Sequence, residues 1–448
     1  MIQALRNAWR LPDVRNKLLF TVFILIVYQF AAHVPVVGVD RNVLRQVFES
    51  GSSAGNLIQV MNLLSGGAVA NFSVIANGVY PYITASIIFQ LLVPIVPALE
   101  RIQREPGGQE KIQRYTYYVA IPMAVLQALG QISIFNLATG TGAEIIPGFG
   151  FGIGSNLLLT VSVLTTMTAG TMFAIWLGEL ITEQGIGNGI SIIIFAGIVA
   201  QAPQNLIRLL TQQPDRSIYN LVLFIVITVL SVLAVVVIQE GVRRIPVQYG
   251  RRVRGNRQFA QQDSFIPLRV NPVGMIPLIF AQSIITFPAI IASLFPPGPV
   301  GNTIQTTFGN QQGLLYWGTF FLMTVGFTFF YAEVMVGNQN LAESLQRNGG
   351  FIPGIRPGKR TEDYIKTTTR RITFVGAFFL GVIAVIPGVI DLVNRIIFPL
   401  EASTSGAVIN AGLVISGSGL IIVVGVVIDT MRQLEAQLVM RNYEGFMR

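Results

Sequence analysis

The sequence predicts an all-α membrane protein with ten transmembrane helices, and three observations lead there. Of 448 residues, 52% are hydrophobic and only 11% charged, with a mean hydropathy of +0.61. Soluble domains carry about 25% charge, so this chain lacks the polar residues needed to coat a soluble globule. Ten apolar runs have the roughly 20-residue length that a helix needs to cross hydrocarbon. Finally, the basic residues alternate from one side of these runs to the other.

In order, the predicted spans are 18–37, 76–97, 115–137, 156–177, 186–206, 218–239, 270–292, 314–336, 372–393 and 408–429. The first comes after Arg6, Arg10, Arg15 and Lys17, as a signal peptide would, but its apolar run is long and Ala31-Ala32-His33 is a poor cleavage site. With the N-terminus in the cytoplasm, 25 of the 30 Lys and Arg fall on the inner side. Only Arg41, Arg45, Arg208, Arg216 and Arg395 do not, and the outer loops 138–155 and 293–313 have no basic residue. This is the positive-inside pattern, with both termini inside. The inner loop 178–185, with Glu179 and Glu183, is the one dissenter, and acidic residues weigh little in the rule.

No predicted span carries an ionisable residue near its middle; Glu179, Glu333, Asp391 and Asp429 all lie at or beyond ends. A charge at the bilayer centre costs about 2.5–3.5 kcal/mol even on the lenient insertion scale, so it is kept mainly for work. Its absence argues against an ion-coupled transporter, an ion channel or an intramembrane enzyme. There is no cysteine, the lone histidine is His33 at the end of the first span, and no P-loop is present. No cofactor or metal is implied, and any energy must come from a partner.

Residues 50–75 do not fit the span pattern, because Leu57–Leu64 is too short to cross and Ser65-Gly66-Gly67 breaks the apolar run there. Two readings stand: a re-entrant helix dipping into a cavity from outside, or an amphipathic helix lying on the outer surface. A short repeat adds to the organisation. Residues 78–85 and 274–281 both read G-x-x-P-x-I-x-A, in spans two and seven. Two halves of five spans must point opposite ways, which makes an inverted repeat with a pathway between the halves. Gly and Pro within these spans would make them weak points suited to gating.

Longer stretches are more specific. NGVYPYITASIIFQLL at 77–92, ITEQGIGNGISIIIFAGIV at 181–199 and RRIPVQY at 243–249 resemble signatures of the SecY family. So do IPLIFAQSIITFPA at 276–289, GGFIPGIRPG at 349–358 and IDTMRQLEAQLVMRNYEGF at 428–446, the last closest to cyanobacterial or plastid members. The resemblance implies the central pore subunit of the Sec protein translocase. Such a channel conducts unfolded secretory polypeptides and releases hydrophobic segments sideways into the bilayer. It implies an hourglass of two inverted five-helix halves, 18–206 and 207–429, flanked by a cytoplasmic segment 1–17 and tail 430–448. A plug helix at 57–72 then belongs to the first half, which favours the re-entrant reading.

By motif, a ring of aliphatic side chains falls on Val79, Ile83, Ile190, Ile194, Ile279 and Ile422. The family usually has isoleucine where Val79 stands. A ring of this kind holds back ions by dewetting and yet yields to any passing chain. Thr84 and Phe287 match facing positions of a lateral gate between spans two and seven, with Gln127 beside the same seam. The basic loops 240–269 and 337–371 become docking surfaces for the ribosome and the SecA motor ATPase, with Arg243, Arg244 and Arg356 as the contact residues. Arginines there can meet ribosomal RNA phosphates without sequence preference. The first inner loop departs from the family, with Gln109-Glu110 where a basic pair is common and Tyr117 where arginine is common. Partners implied are the small membrane subunits SecE and SecG, SecA, the ribosome, signal sequences, unfolded preproteins and membrane lipids. The expected location is the bacterial plasma membrane or the thylakoid membrane. Two other classes stay open: an inverted-repeat transporter of a small solute, which would need a coordinating group at mid-span, and an insertase-like protein with no sealed pore.

Overall fold

The computed structural model describes residues 11–49, 58, 61–62, 65–139, 144–150, 152, 156–211, 217–249, 253–254, 257–258, 263–274, 276–293, 298–304, 307–308, 313–338, 341–397 and 418–446. The N-terminal residues 1–10, residues 57, 59–60 and 63–64 of the predicted plug helix and residues 408–417 of the tenth predicted span lie outside them. In chain order the helices of the first part are α1 (Pro12–Ala31), α2 (Arg41–Glu49), α3 (Tyr80–Leu92), α4 (Pro97–Arg104), α5 (Gly108–Ala138), α6 (Leu157–Gln184) and α7 (Gly189–Thr211). They continue with α8 (Ser217–Glu240), α9 (Ile276–Ser293), α10 (Pro299–Ile304), α11 (Leu314–Asn338), α12 (Leu341–Arg347), α13 (Lys359–Ile397) and α14 (Ser418–Phe446).

Each of the ten predicted spans overlaps one of these helices, the tenth only from Ser418 onward. Among the described residues five helices are long and apolar enough to cross a membrane: α1, α5, α6, α11 and α13. The pair α3 and α4 makes a sixth if counted together, although the chain bends by 106° between them. Two helices start later than their predicted spans, for the same reason. Gly78 and Gly274 adopt φ of 54° and 69°, a conformation disfavoured for other residues. Pro81 and Pro277 then stand in the first turn of α3 and α9, where a missing N–H costs nothing. The repeated G-x-x-P is therefore a helix-start signal, and it corrects the expectation of weak points inside the spans. With 13 residues, α3 is about 20 Å long, against about 30 Å of hydrocarbon. The turns of residues 65–79 lead into α3, and their side chains are largely buried in protein.

The all-α expectation is also corrected in the loops that follow α8 and α12, which hold short strands. β1 (Val242–Tyr249), β2 (Val253–Arg254), β3 (Arg257–Gln258), β4 (Asp263–Arg269) and β5 (Gly350–Phe351) form two small antiparallel sheets. The larger has the order β4-β1-β5, with Arg243 opposite Leu268 and Gln248 opposite Phe351. Alternation explains β1: Ile245 and Val247 point inward while Arg244 and Pro246 stay exposed. The inward pair packs with Leu268, Leu345, Ile352 and Ile365, so the two basic loops share a small core of their own.

Candidate functional site: an apolar node and a polar seam

The glycines around α7 set the position of two predicted ring residues. In the run Gly185–Gly189, Gly187 takes φ of 85° and Gly189 lies so close to α6 that a Cβ there would stand 1.8 Å from the Gly178 carbonyl. The Thr182 hydroxyl accepts the Gly189 N–H at 2.9 Å, and Asn188 caps the helix by accepting from the Ser191 N–H at 3.2 Å. Ile190 and Ile194 leave this start one turn apart.

All six aliphatic residues singled out in the sequence lie in, or pack against, one apolar cluster. Val79 immediately precedes α3; Ile83 lies on α3, Ile279 on α9 and Ile422 on α14. With Ile194 they belong to one buried apolar cluster, and Ile190 packs against it half-buried. None of the five is more than 7% exposed. Among the described residues, no Asp, Glu, Lys, Arg or His is buried, and no cluster of potential metal ligands exists. The node is thus held by packing alone.

Beside it runs a buried polar seam. The Tyr80 hydroxyl of α3 donates to the Ser283 carbonyl of α9 at 2.9 Å. Thr84 donates to the Tyr80 carbonyl at 2.8 Å, and the Gln127 amide of α5 donates to the Thr84 hydroxyl at 3.4 Å. Asn77 donates to the Ala124 carbonyl at 3.1 Å. One turn along α5 from Gln127, Gln131 is fully buried, and neither of its amide atoms has a hydrogen-bond partner. Phe287 stands half-buried one turn beyond Ser283 on α9. Near the other end of α3, the Tyr331 hydroxyl of α11 donates to the Gln90 side chain. The Tyr80 and Tyr331 bonds, and Gln131, were missed in the sequence; the Gln127/Gln131 spacing within an apolar helix was the available signal.

In the segment anticipated as a plug, Ile58, Met61 and Asn62 are helical and turns begin at Ser65. Asn62 is used on every side. Its amide donates to Gln201 of α7 at 3.1 Å, its side-chain oxygen accepts from the Ala70 N–H at 2.7 Å, and its carbonyl accepts from the Gln201 amide at 2.9 Å. Tyr28 of α1 donates to the Ser65 carbonyl at 2.9 Å. Gly66 and Gly197 touch backbone to backbone: a Cβ on Gly197 would lie 2.2 Å from the Gly66 Cα. Only glycine fits both positions.

On the three-stranded sheet Arg243 and Arg244 are exposed on β1, with the Arg244 guanidinium 4.8 Å from the centre of the Phe265 ring. Arg356 is exposed in the turn between β5 and α13, which the Thr361 hydroxyl fastens by donating to its carbonyl at 2.9 Å. These three arginines sit on one module built on a shared core.

The model of the family described as SecY matches residues 73–431, most of the chain and both sides of the node. The chain belongs to the SecY family. It is 39% identical over 457 residues to the protein translocase subunit SecY of Bacillus licheniformis, and 38% identical over 464 residues to that of Mycobacterium tuberculosis. In both cases the alignment covers 100% of each chain. Among solved structures it resembles one described as a protein-conducting channel, with a TM-score of 0.61 at 19% identity over 94% of this chain and 92% of the other. It also resembles canine Sec61 in a ribosome–channel complex, with a TM-score of 0.58 at 18% identity and the same coverage. These structural likenesses establish the SecY fold for a mostly helical, integral membrane protein.

Proposed function

We propose that the chain is the central pore subunit of a protein translocase, passing unfolded polypeptides across the membrane and releasing apolar segments sideways. One observation carries the reading: Val79, Ile83, Ile190, Ile194, Ile279 and Ile422, drawn from four separate parts of the chain, share one uncharged apolar cluster. A polypeptide of arbitrary sequence offers no fixed charge or shape to recognise, so its passage needs a neck that yields without binding. Relatives named as translocase subunits support this, as does the fold shared with protein-conducting channels. A transporter coupled to ions would require a buried ionisable group, and among the described residues no Asp, Glu, Lys, Arg or His is buried.

In this reading the ten helices form two inverted halves, residues 57–72 are the plug, and α3 and α9 are the two sides of the lateral gate. Thr84, Gln127 and Phe287 line that gate. SecE, SecG, the SecA motor and the ribosome are the partners, docking by way of Arg243, Arg244 and Arg356. The termini are cytoplasmic, in a bacterial plasma membrane or a thylakoid membrane. The test is a photo-crosslinker at Ile83 challenged with a stalled secretory chain. Adducts to that chain support the pore; adducts only to small solutes, or none, overturn it. Arg356→Glu tests the docking surface, with motor-driven secretion expected to fall much further than membrane insertion. Equal loss of both would remove that role.

A further inference from the structure

The cytoplasmic end of α14 touches three distant parts of the molecule within six residues. Arg432 donates to the Gln239 carbonyl and to the Glu240 carboxylate, each at 2.9 Å. Gln239 and Glu240 are the last residues of α8, so the guanidinium sits on the negative end of that helix, where unpaired carbonyls gather. The hairpin of β1 and β4 begins directly after them. Its base is closed by the Val270 N–H donating to the Gly241 carbonyl at 2.9 Å.

The neighbours of Arg432 reach the starts of two helices of the node. Asp429 Oδ2 lies 3.6 Å from the place a Cβ would occupy on Gly274, the positive-φ residue before α9. Its carboxylate is also within electrostatic reach of Arg269, the last residue of β4. Thr430 Oγ1 lies 3.2 Å from the corresponding position on Gly187, before α7. Met431 and Leu434 pack on Ile186 and on Val14 of α1. On the same helix Ile422 lies ten residues back, about 15 Å away.

We infer that Arg432 is a positioning residue that couples the docking hairpin to the apolar node, transmitting a partner's displacement of β1 and β4 to α7, α9 and α14. The hairpin also packs against α13, through Ile365 and through Val270 beside Gly376, but α13 carries none of the six aliphatic residues. Both strands leave the membrane helices at Gly241 and Val270, and Arg432, with Asp429 beside it, is the charged pair bound at that junction. The geometry is also selective. α14 carries Ile422 itself, while the two glycine entries it touches precede Ile190 and Ile279, so one shift of residues 429–434 is felt by three helices of the node.

This inference rests on the channel reading, and the experiment separates the two. The full chain with its small subunits is reconstituted in vesicles. Preprotein import driven by the SecA motor, motor affinity and resting ion leak are measured for the wild type, Arg432→Gln, Arg432→Lys and Glu240→Gln. Arg432→Gln is expected to lower import about tenfold, a size within reach of a coupled charge pair, with motor affinity and leak unchanged. Glu240→Gln, which spares the bond to the Gln239 carbonyl, lowers it less, and Arg432→Lys, which keeps a charged donor at the junction, retains much of the import. Import equal to wild type in Arg432→Gln, a fall matched by lost motor affinity, or Arg432→Lys no better than Arg432→Gln would each overturn the coupling. A wild type that imports nothing would instead sink the channel reading. If Arg432→Gln fails to assemble, the comparison of Glu240→Gln with wild type decides by the same criteria.

Discussion

The apolar node and the polar seam lie side by side and are held in opposite ways. Around Ile83, Ile194 and Ile279 nothing is directional: side chains touch, and any apolar contact can replace another. Along Tyr80, Thr84 and Gln127 each contact is a hydrogen bond with one partner, and Gln131 carries an amide with none. A node held by packing can part and reclose around many shapes. A seam held by hydrogen bonds has two preferred states, closed and replaced. The same helix, α3, contributes to both, so the two behaviours are mechanically joined.

Replacing Ile83, Ile190 and Ile279 together by asparagine attacks the node hardest, since each buried amide would cost about 1–3 kcal/mol. A large rise in resting conductance in planar bilayers is expected, and unchanged conductance would break the comparison at its first term. Gly197→Val acts next. Its added carbons collide with the Gly66 backbone at a cost of about 1–3 kcal/mol, so the 58–72 segment should lose its seat and leak should rise. A variant whose protease accessibility at 58–72 matches wild type would show that this contact is dispensable. Tyr80→Phe removes one hydroxyl from the seam, worth about 1 kcal/mol. It should ease separation of α3 from α9 several-fold without raising leak, measured by disulfide trapping between cysteines placed on the two helices. That assay is clean because the chain has no cysteine of its own. Gln131→Leu gives the smallest effect, neutral or a gain of about 1 kcal/mol in thermal stability, because an unpartnered buried amide is lost. A marked destabilisation would mean that the amide is satisfied in the membrane.

Much of this was written in the chain in a readable form. The long helices follow from apolar runs, and their uncharged centres follow from counting, because hydrocarbon enforces both. The repeat at Gly78 and Gly274 was visible as a pattern, but its meaning was not. Whether Gly and Pro sit inside a helix or open one depends on where hydrogen bonding begins, and that is decided by neighbours such as Asn271, which accepts from the Gly274 N–H at 3.1 Å. The strands escaped notice because arginines dominate RRIPVQY; the alternation of Ile245 and Val247 was a two-residue signal. Asn62 and Gln201 are 139 positions apart, and two ordinary amides at that distance give a single sequence no reason to pair them.

The sharp corner after α3 has a mechanical consequence. Residues 93–96 turn the chain through 106° into α4, whose Glu100, Arg101 and Arg104 suit the headgroup layer more than the hydrocarbon. A rod welded to a crossbar cannot spin about its own axis without dragging the bar through the lipid surface. Helix α3 is therefore left with one inexpensive movement, a tilt about the corner at 93–96, which swings its far end, where Val79 and Tyr80 stand, through the widest arc.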